Sequence, residues 1–175
     1  ISSLSGHSRA IKSVSYDPRN SYIATASCDG NVKIWSIESQ EPVISLNVLS
    51  LEMSTRGIQS NLSRLAWHPV NGSLLAIPTA KGVFFFERDT WEEAFSFKDI
   101  RHGAATLVSW SPNGIYMAVA YENGFVMIWD VLNRVDIQRI KVENHIVAIA
   151  WHPKSGNIAM LDEEGRLCVS AGVVP

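Results

Sequence analysis

Apolar and polar positions follow the same order four times along the chain. Each repeat is centred on an anchor of an aromatic residue, a polar residue and a proline: Tyr16-Asp17-Pro18, Trp67-His68-Pro69, Trp110-Ser111-Pro112 and Trp151-His152-Pro153. The aromatic residues are 51, 43 and 41 residues apart. Two apolar residues stand five and two positions before each aromatic, as Ile11 and Val14 do in the first repeat. This pattern predicts a strand that enters a turn at the proline.

Further strands are predicted after each proline. A glycine follows twelve or thirteen residues later and forms the pairs Asp29-Gly30, Lys81-Gly82, Asn123-Gly124 and Glu164-Gly165. Asp-Gly and Asn-Gly tolerate the positive φ of a tight hairpin turn, and apolar residues alternate beyond each glycine. Each repeat therefore predicts strand, turn, strand, hairpin and strand. Weaker fourth strands are predicted at residues 42–48, 91–97 and 135–142.

Four antiparallel strands with a period of about 40 to 45 residues are typical of β-propeller blades. A helical fold is excluded because no segment keeps the helical spacing of apolar residues for more than about a turn. A β-sandwich also has many short strands, but it gives no reason for one pattern to recur in register. The predicted fold is all-β, with blades at 7–48, 62–97 and 105–142, an incomplete blade at 146–175, and a long inter-blade loop at 50–61.

Composition narrows the function classes. The 175 residues are 46% hydrophobic and 18% charged, which is enough to bury a sizeable core. The formal net charge of −2 leaves no large excess of positive charge for a phosphate backbone, so any nucleic-acid contact is expected to be local. We expect no membrane span and no signal peptide. Cys28 and Cys168 are too few for a disulfide framework and suit a reducing compartment.

No motif for catalysis or cofactor binding is present. The sequence lacks a Gly-x-Ser-x-Gly elbow, a phosphate-binding glycine loop and a His-Glu-x-x-His pair. The five histidines occupy repeat positions, which places them on different blades rather than around one metal. The acidic runs at 92–93 and 162–164 are interpreted as solvated turns. The anchor tryptophans are interpreted as packing residues rather than as a platform for stacking bases. We therefore expect no enzyme activity, metal or cofactor.

The repeats resemble those of the WD40 family across essentially the whole chain. Gly6-His7 with Trp35-Ser36, and Trp129-Asp130 at the end of the third repeat, match the Gly-His and Trp-Asp ends of that repeat. The resemblance implies a hydrogen-bonded set of His7, Ser27, Asp29 and Trp35 within the first blade. The third blade keeps His102, Asn123 and Trp129 but has Tyr121 at the position of Ser27.

The other two repeats match the polar set only in part. The second has Thr79, Lys81 and Glu87, and the fourth has His145, Asp162, Glu164 and Ser170. These blades are expected to rely on apolar packing. Because paired buried polar groups hold a loop against its sheet, the first blade is predicted to be the most rigid.

The WD40 resemblance also implies an incomplete ring. Residues 1–4 resemble the outer strand of a preceding blade, the chain begins at Ile1 rather than Met, and the fourth repeat stops after its third strand. Seven blades are usual in this family, so we interpret the chain as roughly the second half of a seven-bladed ring. Its two flanking faces would then expose apolar surface, which predicts aggregation of the isolated chain.

A narrower resemblance is to the WD-repeat and HMG-box DNA-binding proteins, also called acidic nucleoplasmic DNA-binding proteins, and to their yeast relative, the chromosome transmission fidelity adaptor. It is carried by the runs 27–30, 64–69, 75–78, 149–153 and 158–159. The resemblance implies a nuclear scaffold that links the replicative helicase to DNA polymerase α-primase and supports sister-chromatid cohesion. It also implies a contact with DNA or chromatin, and a homo-oligomer formed through a region absent from this chain.

Two features are candidate contact sites. The long loop at 50–61 is one, although a tolerated insertion is the simpler interpretation. The basic residues Arg9, Lys12 and Arg56 near loops are candidates for contact with a partner or DNA. The alternatives to a replication adaptor are a WD40 scaffold of another pathway, such as a ubiquitin-ligase substrate receptor or a chromatin-complex subunit, and a propeller enzyme. Fold alone does not decide among them.

Overall fold

The computed structural model describes residues 3–48, 65–98 and 100–172. Their strands form four separate antiparallel sheets, each built from consecutive strands in chain order. Blade 1 contains β1 (Ile11–Tyr16), β2 (Tyr22–Ser27), β3 (Asn31–Ser36) and β4 (Pro42–Asn47); blade 2 contains β5 (Ala66–Trp67), β6 (Leu74–Thr79), β7 (Gly82–Glu87) and β8 (Glu93–Phe97). Blade 3 contains β9 (Ala105–Trp110), β10 (Tyr116–Tyr121), β11 (Phe125–Asp130) and β12 (Val135–Lys141), and the described part of blade 4 contains β13 (Ile146–Trp151), β14 (Ile158–Asp162) and β15 (Leu167–Ser170).

The four blades are arranged as in a β-propeller, as the sequence predicts. A 3-10 turn at Ile100–His102 precedes β9. The predicted strand at 42–48 corresponds to β4 and the predicted strand at 135–142 to β12. The predicted loop at 50–61 lies outside the described residues. Residues 62–64, the predicted start of blade 2, also lie outside them. Residues 3 and 4 are irregular, so their interpretation as an outer strand stays a prediction.

One predicted strand begins later than expected. The sequence predicts a strand at residues 91–97, but β8 starts at Glu93. Trp91 lies in the preceding turn with a φ of 57°, the left-handed region that Gln40 and Arg134 occupy at the same place in blades 1 and 3. Its indole packs edge-on against Tyr22 and Trp67. Trp91 therefore seals the junction between blades 1 and 2 rather than extending the sheet.

The hydrophobic core lies between the blades as three clusters. Strand alternation sends successive residues to opposite faces, so Phe84 and Phe86 of β7 pack towards blade 1 while Phe85 packs towards blade 3. The third cluster joins Ala118, Val126 and Ile128 of blade 3 to Ile146, Ile158 and Met160 of blade 4. Each blade thus stabilises its neighbours by burial of apolar surface.

Anchor tryptophans add one hydrogen bond at each junction. The indole N–H groups of Trp67, Trp110 and Trp151 donate to the backbone carbonyls of Ser15, Ala66 and Ser109 at 3.2, 3.2 and 3.0 Å. Each acceptor directly precedes the anchor aromatic of the preceding blade. The same contact therefore recurs at all three junctions. In each, the donor and the acceptor occupy fixed positions of the repeat.

The two outermost faces are open. Tyr16 is 61% exposed, whereas Trp110, at the same repeat position inside the array, is 8% exposed. At the other end Leu167 is 68% exposed, whereas its equivalent Val126 is fully buried. The repeat thus places apolar side chains on both flanks at positions that are buried wherever a neighbouring blade is present.

Candidate functional site

A chain of hydrogen bonds crosses blade 1 from its sheet to the loop before β1. The Trp35 indole N–H donates to the Thr25 hydroxyl at 2.8 Å, and Thr25 Oγ1 lies 2.7 Å from His7 Nε2. His7 Nδ1 lies 2.9 Å from a carboxylate oxygen of Asp29. Because a carboxylate only accepts, His7 donates from Nδ1, and in the neutral ring Nε2 then accepts from the Thr25 hydroxyl. Each of these four side chains therefore has a hydrogen-bond partner within the series.

The electrostatics of this network favour an ionised Asp29. Burial alone would raise the pKa of this carboxyl, but hydrogen bonds from the His7 ring and from the backbone N–H groups of Ser8 and Asn31 outweigh that effect. The pKa of Asp29 is lowered to about 2. The network therefore holds the loop at 5–10 against the β2–β3 turn.

The hydroxyl in this network belongs to Thr25 and not, as predicted, to Ser27. The Ser27 hydroxyl donates to the carbonyl of Arg9 at 3.0 Å and accepts the backbone N–H of Asp29 at 3.2 Å. Ser27 closes the hairpin turn, as Thr79 does by accepting from Lys81 N and Asp162 does by accepting from Glu164 N. The position of Ser27 caps a turn in three blades, whereas the hydroxyl two residues earlier occurs in blade 1 alone.

Blade 3 lacks that hydroxyl because Val119 stands at the position of Thr25. Trp129 stacks on Phe97 of blade 2 with ring centroids 4.3 Å apart, but its Nε1 has no hydrogen-bond partner within the described part of the chain. His102 lies against the rings of Tyr121 and Phe125. The predicted pair His102 and Trp129 is thus packed among aromatic rings.

The histidines lie apart and serve their own loops. Besides His7 and His102, His68 Nε2 lies 3.1 Å from the carbonyl of Gly114, and burial lowers the pKa of His68. His152 accepts the backbone N–H groups of Lys154 and Ser155. Among residues 3–48, 65–98 and 100–172, no group of three or more His, Cys, Asp or Glu side chains could hold a metal ion.

No helix in this described part is long and apolar enough to cross a membrane.

Antiparallel pairing gives the array two loop-bearing ends. We call the end with the loops before each first strand and the β2–β3-type turns the upper face. Its described residues are 5–10, 28–30, 80–81, 98, 100–104, 122–124, 142–145 and 163–166. The lower face contains the other loops, at residues 17–21, 37–41, 68–73, 88–92, 111–115, 131–134 and 152–157. Loops held on a rigid scaffold are the usual places for contacts with partners.

The structure places two of the three basic candidates on blade 1. Arg9 is exposed on the upper face, where its carbonyl is fixed by Ser27. Lys12 lies half-buried in β1, and Arg56 lies outside the described residues. Lys98 and Arg101 are further exposed cations on the upper face of the neighbouring blades. Sequence reasoning did not single these two out, because only the fold shows that their loop shares a face with Arg9.

Comparison with known proteins gives a consistent set of relatives. A family model described as the WDHD1 first WD40 domain matches residues 1–169. The chain is 37% identical over 171 residues to WD repeat and HMG-box DNA-binding protein 1 from Mus musculus, a match that covers 96% of this chain and 15% of the relative. It is 27% identical over 167 residues to minichromosome loss protein 1 from Schizosaccharomyces pombe, covering 94% of this chain and 20% of that protein.

A solved structure agrees on the fold. The crystal structure of the RRP9 WD40 repeats superimposes with a TM-score of 0.76 at 17% identity, over 97% of this chain and 53% of that one. The chain thus spans about half of a solved array of WD40 repeats and a small part of its longer relatives.

Proposed function

Because the chain belongs to the family of the WDHD1 first WD40 domain, we propose that it is a non-catalytic interaction module of a chromosome-replication adaptor. The match across residues 1–169 carries this proposal. One relative is named for DNA binding and another for the loss of minichromosomes, which supports a role on chromosomes. Recognition by a rigid set of blades requires no chemical step.

The proposed partners are the replicative helicase and DNA polymerase α-primase, which the adaptor links in the nucleus while supporting sister-chromatid cohesion. The chain covers 15% of its mouse relative, so the linking role belongs to the longer protein and this module contributes one contact surface. The homo-oligomer expected of such an adaptor forms through another region.

Proximity labelling tests the partner proposal. The chain is fused to a biotin ligase in S-phase nuclei, and an unrelated WD40 module fused to the same ligase is the control. We expect helicase and polymerase α-primase subunits to be enriched over the control. Enrichment of ubiquitin-ligase adaptors or of chromatin-assembly subunits instead would favour a WD40 scaffold of another pathway.

We place the DNA contact on the upper face. Arg9, Lys98 and Arg101 are exposed there, and each phosphate neutralised by such a cation makes binding more dependent on salt. In fluorescence anisotropy with a labelled duplex, Arg9→Glu and Lys98→Glu should weaken binding and flatten its salt dependence. Arg134→Glu, a charge reversal on the lower face, is the matched control. If the upper-face variants bind as the native chain does, the DNA contact is abandoned.

A further inference from the structure

The lower face of blade 3 carries apolar side chains where blades 1 and 2 carry acidic residues or serine. Leu132 is 80% exposed, and it follows Val131, whose backbone N–H donates to the carbonyl of Ile115 at 3.0 Å. Equivalent bonds in blades 1 and 2 are followed by Glu38 and Asp89. At this one surface position of the repeat, blade 3 therefore has a leucine and blades 1 and 2 each have a carboxylate.

Two more positions have an apolar residue in blade 3 where blades 1 and 2 have a polar one. Val135 pairs with Asp130 at the start of β12, where the corresponding residues of the other blades are Glu41 and Glu92. Ile115 directly precedes β10, whereas Ser21 and Ser73 precede the second strands of blades 1 and 2. Val135 and Ile115 are both exposed.

Hydrogen bonds connect the loops that carry these apolar positions across two blades. Val70, 63% exposed, lies in the β5–β6 loop two residues after His68. His68 Nε2 bonds to the carbonyl of Gly114, and the next residue, Ile115, accepts from Val131. This series of contacts joins the loop of Val70 to Ile115 and Leu132. We call Val70, Ile115, Leu132 and Val135 the lower apolar patch.

The lower apolar patch is separate from the open flanks of the array. Blades pack through the broad faces of their sheets, and the residues on those faces are buried wherever a neighbour is present. The patch lies instead on loops and strand ends of the two middle blades. Packing of further blades against the flanks would therefore leave it open to solvent.

The loop of blade 2 beside the patch is acidic. Glu87, Asp89, Glu92 and Glu93 are exposed there. The cation of this loop, Arg88, is buried: its Nη1 lies 2.7 Å from Asp17 and its Nε 3.6 Å from Asp89. It therefore offsets Asp89 in part and leaves the carboxylates of Glu87, Glu92 and Glu93 at the surface. Of the exposed cations of the lower face, Arg19 and Lys154 lie on blades 1 and 4, while Arg134 lies beside the patch, over the ring of Phe95 in β8 at 4.6 Å. The carboxylates of the blade 2 loop still outnumber this one cation.

We propose that the lower face docks a short segment of a partner protein that is both basic and apolar. Its apolar side chains pack on the lower apolar patch, and its Lys or Arg side chains face the acidic loop of blade 2. A few residues buried at the centre of such a contact supply most of its affinity, while the charges set orientation and association rate. The acidic loop repels phosphate, so a nucleic acid is a poor occupant of this face. This proposal rests on the proposed function as an interaction module.

Fluorescence anisotropy with synthetic probes tests the docking surface. The complete 175-residue chain is titrated into a labelled peptide of interspersed Leu and Lys, and into matched Leu/Glu and Ser/Lys peptides. The Leu/Lys peptide should bind most tightly. Leu132→Ser, and separately Ile115→Ser, should weaken its binding by about tenfold. The double variant Asp89→Asn with Glu92→Gln should weaken it by about three- to tenfold and reduce its salt dependence.

Two matched variants locate the binding. Val43→Ser changes an exposed valine of β4 away from the patch, and Leu167→Ser changes the open flank of blade 4. Both should leave the affinity for the Leu/Lys peptide unchanged. The proposal is overturned if Leu132→Ser and Ile115→Ser have no effect, if the Leu/Glu peptide binds equally well, or if Leu167→Ser abolishes binding. The DNA experiment measures binding to upper-face variants, and proximity labelling identifies partners in nuclei. Neither depends on peptide binding to the lower face, so failure of the proposed function is distinguishable from failure of this docking site.

Discussion

The Thr25 hydroxyl connects two buried rings in blade 1. It accepts from Trp35 and donates to His7, whose other nitrogen donates to Asp29. A hydroxyl can do both at once because it has a donor and two acceptor sites. Ile77, Val119 and Met160 stand at the same position in the other blades and offer no polar group. The network of blade 1 therefore depends on one side chain.

Thr25→Val should lower the free energy of unfolding by about 2 kcal/mol. The substitution keeps the size of the side chain but leaves the indole N–H of Trp35 and Nε2 of His7 without partners, and each unpaired buried group costs about 1 to 3 kcal/mol. Urea denaturation followed by tryptophan fluorescence measures the change. An unchanged midpoint would mean that water or another group replaces the hydroxyl.

The reciprocal change, Val119→Thr, should raise the free energy of unfolding by about 1 kcal/mol. Its hydroxyl would occupy the position relative to Trp129 that the Thr25 hydroxyl has relative to Trp35. The Nε1 of Trp129 has no partner among the described residues. The same urea titration serves both variants. A loss of stability for Val119→Thr would show that burying the hydroxyl costs more than the new hydrogen bond contributes.

Asp29 should make stability depend on pH in the acid range. Its pKa is about 2 in the folded chain, below the ordinary value of 3.8. Its contribution is therefore complete above about pH 4 and is lost as the pH falls through 2. At about 1.4 kcal/mol per pKa unit, the contribution is about 2 kcal/mol. Unfolding curves from pH 5 to pH 2 should show this loss in the native chain and a smaller one in Asp29→Asn. Parallel curves for the two proteins would contradict the assignment.

At the scale of elements, the anchor tryptophans tie each first strand to the blade before it. Trp110→Phe keeps a ring at the junction of blades 2 and 3 but removes the N–H that donates to Ala66. We expect a loss of about 1 kcal/mol in the free energy of unfolding. Tyr16→Phe is the matched control, since Tyr16 occupies the same repeat position at an open flank. It should cost almost nothing in the same denaturation assay, and equal losses would disprove the role of the junction.

The ion pair between Asp17 and Arg88 is a second tie, specific to blades 1 and 2. Burial alone would raise the pKa of Asp17, but the hydrogen bonds from Arg88 and from the backbone N–H groups of Arg19 and Ser21 outweigh it and lower the pKa. Arg88 also lies over the ring of Tyr22 at 4.7 Å. Both charges are thus held by several contacts away from solvent.

Arg88→Met should cost about 3 to 5 kcal/mol because it leaves the buried carboxylate of Asp17 without its cation. Combining it with Asp17→Asn should cost less than the sum of the two single changes. A double-mutant cycle from urea denaturation measures this coupling. Additive losses would indicate that the two side chains do not act as a pair.

At the scale of the molecule, the open flanks should drive self-association. Ile11, Val14 and Tyr16 are exposed at one end, and Leu161, Leu167 and Val169 at the other. Exposed apolar sheet faces associate to bury their surface. Sedimentation velocity of the purified chain should show oligomers that increase with concentration and decrease in Val14→Ser and Leu167→Ser. Val43→Ser, on β4, is the control. A native chain that stays monomeric at all concentrations would contradict this interpretation.

Charge is distributed unevenly over the two loop-bearing faces. The loops of blades 1 and 2 on the lower face carry exposed carboxylates, whereas the upper face has Arg9, Lys98 and Arg101 on blades 1 to 3 and exposed glutamates in its loops at 142–145 and 163–166. The net charge of −2 sums over both faces and does not show this distribution. A phosphate contact is therefore expected only at the upper loops of blades 1 to 3.

The repeat, the all-β class and the order of strands can be read from the residues alone. Local chemistry suffices for these: a proline ends the first strand, a glycine turn joins the next two, and alternation marks one buried side. The fourth strand of blade 2 was predicted too early because Trp91 fits a strand by composition, yet its turn places it at a φ of 57°.

Which side chains contact one another depends on strand register and on the packing of the blades. Thr25 rather than Ser27 pairs with Trp35 because residues two apart in a strand share a face, and the exact register selects the one nearest the indole. The Asp17–Arg88 pair joins residues of different blades, and no local pattern specifies that contact. The lower apolar patch likewise exists only once neighbouring blades bring their loops side by side. A repeat determines its own strands, but contacts between repeats depend on how the blades pack.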